Sequence, residues 1–100
     1  MFRITHGQGF QLDFDNGVTV SVQFGGGNYC KNHDTDTGWR DIMESPDAEV
    51  AVMICLKHPL QTIWLTQECC PEASDIGIGG QTPSDVLRIL AWAAQYVVDR

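Results

Sequence analysis

Two runs of alternating side chains meet at Asp15-Asn16-Gly17, and that junction constrains the fold more than any other part of the chain. Before it, Phe10, Leu12 and Phe14 alternate with Gln11 and Asp13; after it, Val18, Val20, Val22 and Phe24 alternate with Thr19, Ser21 and Gln23. Period two on both sides of an Asn-Gly pair predicts a β-hairpin. Its register follows from the faces. A two-residue loop would set Phe14 against Thr19 and Leu12 against Ser21, mixing apolar with polar. A three-residue loop sets Phe14 against Val18, Leu12 against Val20 and Phe10 against Val22. A slip of one residue turns every side chain over, so the second register is the one predicted. Gly17 then takes the left-handed position of a bulged turn.

Around this hairpin the chain supplies further strands and one helix. Phe2 and Ile4 alternate with Arg3 and Thr5, a short leading strand. Ala48–Leu56 (AEVAVMICL) is nearly continuous in apolar residues, the pattern of a central strand buried on both faces. Lys57-His58-Pro59-Leu60 reads as a turn and Gln61–Gln67 as the next strand. That arrangement sets Ile54 against Ile63 and Val52 against Leu65, with Met53 beside Trp64 on the opposite face. Residues 25–47 and 68–81 read as loops, the first tacked down by a helical turn of Trp39, Ile42 and Met43. Thr82 is placed to cap a helix that has Pro83 in its first position and Asp85 completing the cap. The segment VLRILAWAAQYVV that follows contains no breaker.

One hundred residues, 43% hydrophobic and 19% charged, suit a single folded domain over 1–100 rather than a disordered chain. The predicted class is α+β: a four- to five-stranded, mostly antiparallel sheet with one C-terminal helix packed on one face. Only Arg88, Gln95 and Asp99 form a polar stripe on that helix. A surface helix needs an apolar arc of only about 100°. This one has more, and one helix covers one sheet face, so a homodimer or higher homo-oligomer is expected.

Thirteen acidic residues against six basic ones give a net charge of −7. Binding nucleic acid directly, or an anionic membrane, requires clustered Lys and Arg, and the few present are scattered. A basic protein surface, including one that normally holds nucleic acid, suits this chain better. No apolar run approaches the roughly 18 residues of a membrane span. The first residues, MFRITHGQGF, lack a signal-peptide core, so a soluble cytoplasmic protein is expected.

Several segments are candidate sites. Gly77-Ile78-Gly79-Gly80 runs into the helix start at Thr82 and Ser84, where free amides and the helix dipole can hold a phosphate or carboxylate. Neither a dinucleotide fingerprint nor a Walker lysine accompanies it. Gly25-Gly26-Gly27-Asn28-Tyr29-Cys30 follows the longest strand and would let a ligand stack on Tyr29 or Trp39 and bond to Asn28. The ligand-binding candidates are therefore Asn28, Tyr29, Trp39, Gly77, Gly79, Gly80, Thr82 and Ser84; an ordinary cap and a strand-end turn explain the same residues without a ligand. His33, Asp34, Asp36 and Asp41 form the nearest approach to an acid–base or metal cluster, without a hydrolase motif or the glutamate of a calcium loop. Cys30 and His33 have ligand-like spacing, and Cys69-Cys70 adds sulfur, but no CxxC is present. No cofactor or metal is expected.

The stretch Gly9-Phe10-Gln11, Phe14, Asn16-Gly17, Thr19–Gly25 and Gly27-Asn28-Tyr29-Cys30 resembles a family of small phage and prophage proteins with no assigned activity. The resemblance implies a setting inside an infected or lysogenic bacterial host. It supplies no site residues. Small acidic phage proteins of this size resemble inhibitors of host defence, so a non-enzymatic anti-defence protein is expected. Sequestering a small anionic nucleotide signal is the first form of that expectation; an acidic, anti-CRISPR-like inhibitor blocking a host effector surface is the second. A small enzyme using the His33, Asp34 and Asp36 region is the third.

Overall fold

The alternation around Asn16-Gly17 produces the predicted hairpin. The computed structural model describes residues 1–5, 8–26, 28–33, 44–57 and 60–98. Strands β1 (Phe2–Ile4), β2 (Gly9–Asp13), β3 (Val18–Gln23), β4 (Ala48–Lys57) and β5 (Leu60–Trp64) lie side by side in chain order, each antiparallel to the next. Phe10 faces Val22 and Leu12 faces Val20. Phe14 exchanges backbone bonds with the turn, its N–H donating to the Val18 carbonyl at 2.9 Å. Gly17 adopts φ 90°, the left-handed conformation that closes a three-residue loop.

β4 is central, as its apolar run requires, but it is not buried on both faces as expected: Val50, Val52 and Ile54 are buried, whereas Ala51 is half-buried and Cys55 exposed, because α2 covers only one side. One edge of β4 pairs with β3 along most of its length; the other is divided. β5 takes the C-terminal half, with Ile54 opposite Ile63 and Met53 opposite Trp64. A further strand, β6 (Ile78–Gln81), takes the N-terminal half at Ala48 and Val50. Thr66 bridges the gap between them. Its hydroxyl accepts from the Val52 N–H at 2.9 Å and donates to the Ile76 carbonyl at 2.5 Å, and the residue is 1% exposed. A buried amide that no strand reaches thus finds its partner in a side chain.

Two further expectations need correction here. The strand expected over Gln61–Gln67 ends at Trp64, and Thr66–Cys69 forms a short helix, α1, because Thr66 leaves the ladder to serve Val52. The expected 68–81 loop contains β6. Two glycines give that segment little strand propensity, and its pairing with β4 holds it.

Helix α2 (Pro83–Gln95) opens with the predicted capping box of Thr82 and Asp85. It ends before the expected Tyr96-Val97-Val98 turn, since Tyr96 is extended. The side-chain amide of Asn16, in the hairpin turn, donates to the carbonyls of Ala93 at 2.7 Å and Tyr96 at 2.9 Å. It thereby satisfies carbonyls that a helix end leaves open. Ile89 and Ala93 are buried against Val18, Val20, Val22, Val50, Val52 and Ile54. Val86, Leu90, Trp92 and Tyr96 pack beside them, while Leu87, Ala91 and Ala94 face outward.

Candidate functional site

The valines that face α2 occupy every second position of β3 and β4, so Thr19, Ser21, Gln23, Glu49, Ala51 and Met53 point to the opposite face. On that outer face lies a basin of about 640 Å³. Gln11, Ser21, Gln23, Glu49, Ala51 and Met53 form its floor, and Tyr29, Trp64 and residues 74–77 with Gly79 form its walls. Its size falls in the range of small-ligand sites.

The walls are anchored by specific contacts. Asn28 accepts from the Gly25 N–H at 3.0 Å through its side-chain oxygen, and its amide lies 3.5 Å from a Glu49 carboxylate oxygen. The Gly80 N–H donates to the Tyr29 carbonyl at 3.0 Å, tying the Tyr29 loop to β6. A Cβ on Gly79 would come within 2.6 Å of that carbonyl oxygen, so only glycine allows this approach. The ring of His33 stacks on Tyr29 with centroids 5.2 Å apart and planes 9° from parallel. In the wall of residues 74–77, Thr66 holds Ile76, and the Ile76 N–H donates to the Asp75 carboxylate at 2.8 Å. In the floor, the Gln23 amide donates to Thr5 Oγ1 at 2.6 Å and to Ser21 Oγ at 3.2 Å.

Electrostatically the basin is acidic. Glu49 and Asp75 line it, and among the described residues no lysine or arginine does. Among the described residues neither carboxylate has a basic partner. Arg3 lies on the same face but is held by the Asp13 carboxylate and donates to Gln11 Oε1 at 2.8 Å. Those bonds hold the Asp13 carboxyl below the usual carboxylate range, with a further lowering from Thr19.

The sequence candidates separate into groups. Tyr29, Gly77 and Gly79 come together in the basin, and Asn28 and Gly80 brace its Tyr29 wall. Thr82 and Ser84 lie at the start of α2, outside its lining. There the Thr82 N–H donates to Asp85 Oδ2 at 3.0 Å, its hydroxyl donates to the same oxygen at 2.9 Å, and Arg88 pairs with the other oxygen. The chain's own carboxylate thus takes the place of an anion, and the Thr82 donors hold its pKa down. Trp39, Asp34, Asp36, Asp41, His58 and the Trp39-Ile42-Met43 turn lie outside the described residues. Sequence reasoning missed Gln11, Ser21, Gln23, Glu49, Trp64 and Asp75 as site residues. Its hairpin register nevertheless set Gln11 beside Ser21 and its β4–β5 register set Met53 beside Trp64; the pairing of β3 with β4 brings the two pairs onto one face.

Other hollows lie away from this face. One of about 360 Å³ lies between α2 and residues 45–48; its lining is mainly apolar, including Phe10, Phe24, Val86 and Leu90. Another borders Cys69, Cys70 and Arg88. Burial and the neighbouring Cys70 push the Cys69 thiol up to about 12, so it is not a poised nucleophile. Among the described residues no three His, Cys, Asp or Glu side chains converge on a metal position, and no helix is long and apolar enough to cross a membrane.

No family model, curated protein or solved structure matches this chain.

Proposed function

We propose that this chain is a non-enzymatic binding protein that docks a basic protein surface on the outer face of its sheet. The basin carries this reading: aromatic walls at Tyr29 and Trp64, carboxylates at Glu49 and Asp75, and no lysine or arginine among the described residues of the lining. A net charge of −7 adds long-range attraction for such a partner. In the phage setting that the Gly9–Cys30 stretch resembles, the partner would be a host defence protein, whose nucleic-acid-binding surface is basic. Sequestration of an anionic nucleotide has less support, because the basin is acidic and Asp85 already fills the helix start. The outward Leu87, Ala91 and Ala94 flank of α2 supports self-association on the side away from the basin.

A photo-cross-linking side chain at Thr62, exposed on the outer face, tests the docking reading against one at Ala91 on α2. The expected result is capture of a host protein from bacterial lysate through position 62, weakened by added salt. Capture through position 91 alone, or stoichiometric uptake of a nucleotide by calorimetry, would overturn the reading.

A further inference from the structure

We propose that the basin receives an arginine side chain of the docked protein, its guanidinium lying against the Tyr29 and Trp64 rings and drawn in by Glu49 and Asp75. This inference rests on the docking reading and adds the residue type that anchors it.

Tyr29 is 65% exposed and Trp64 44%, although each belongs to a wall fixed from behind. His33 and the Gly80 N–H back Tyr29, while pairing with Met53 fixes the Trp64 backbone. Exposed aromatic faces beside a cavity attract cations through their ring quadrupoles. Asn28 approaches Glu49, the Ile76 N–H orients Asp75, and no basic side chain among the described residues competes for either. Arginine fits this combination better than lysine: its guanidinium is planar and weakly hydrated, stacks on rings, and keeps several N–H groups for carboxylates. The basin, at about 640 Å³, is larger than one side chain, which leaves room for the backbone that carries it.

The test titrates the full chain with the pentapeptide Gly-Ser-Arg-Ser-Gly and with its lysine and citrulline counterparts, followed by the backbone N–H resonances of Gly77 and Gly79 in the basin wall. The arginine peptide should saturate with a dissociation constant of about 1 mM, the affinity of a single anchor lacking the rest of an interface. Lysine should bind about threefold more weakly, and neutral citrulline should give no saturable shift. Glu49→Gln and Asp75→Asn should each weaken arginine binding about threefold, and Trp64→Leu about fivefold. Asp75→Asn keeps an oxygen for the Ile76 N–H at an exposed position, so it decides the matter if Trp64→Leu fails to fold. Citrulline binding as tightly as arginine, no saturation at about 10 mM peptide, or unchanged affinity in Asp75→Asn would overturn the inference. Free arginine binding as tightly as the peptide would overturn its assignment to a protein side chain. If the peptide fails while position 62 still captures a salt-sensitive partner, the arginine pocket falls and the docking reading stands. If the peptide binds and position 62 captures nothing, the reverse holds.

Discussion

On the face that α2 covers, β3 and β4 set Val20 against Val52 and Val22 against Val50; one residue along, the same strands set Ser21 against Ala51 and Gln23 against Glu49. The backbone ladder is shared, and the two faces differ in what the side chains meet. The inner valines are almost fully enclosed by one another and by Ile89 and Ala93. On the outer face the enclosed positions are Met53 and the buried polar residues Thr19 and Ser21, which have hydrogen-bond partners. The comparison teaches that stability and recognition are separated by strand periodicity. Substitutions on the inner face should unfold the protein without altering what the folded protein binds. Those on the outer face should do the opposite.

Val52→Ala should sharpen that contrast most. Deleting two methyls from a site closed on all sides leaves a void, and about 2.5 kcal/mol of stability should be lost in denaturant unfolding. Arginine-peptide affinity of the remaining folded protein should be unchanged. Thr66→Val tests the seam between the faces. It keeps the shape but strands the buried Val52 N–H, at a cost of about 2 kcal/mol, and it frees the Ile76 wall of the basin. This one change should lower both the unfolding midpoint and peptide affinity. Asn16→Ala should cost about 1 kcal/mol by uncapping α2, with no change in binding.

The outer face should register weakly in stability. Ser21→Ala removes one acceptor from an amide that keeps Thr5, and should cost about 0.5 kcal/mol. A loss as large as that of Val52→Ala would break the comparison. The smallest effect concerns Asp13, whose carboxyl is held down first by Arg3 and then by Thr19. A depressed carboxyl contributes stability above its ordinary pKa of 3.8 and loses it as pH falls through the lowered value. Because Arg3 is well exposed, the gain is only about 0.5 kcal/mol. The difference in unfolding midpoint between the native chain and Asp13→Asn should therefore be largest near neutrality and shrink below about pH 4.

Legibility in the sequence followed the range of the physics. The hairpin register, Gly17, the Ile54–Ile63 pairing and the Thr82 capping box depend on neighbours in sequence or on strict alternation. Each could be read directly. β6 could not, because Gly79 and Gly80 resemble loop residues until Ala48 and Val50 offer them an edge. The basin was half legible. Its floor is a matter of parity, whereas its walls come from Tyr29, Trp64 and residues 74–79, brought together only when β4 divides its edge between two strands. Asn16 was legible as a turn former and not as a cap, since its acceptors lie 77 and 80 positions away.

That separation has a kinetic meaning. Closing so long a span is costly in chain entropy until other contacts have brought the two ends together. The bonds from Asn16 to α2 should therefore form after the transition state for folding, once the sheet has gathered the helix. Contacts made that late govern escape from the native state rather than arrival in it. Removing the Asn16 amide should leave the folding rate nearly unchanged and speed unfolding, so this turn residue would act as the latch on the native state's lifetime.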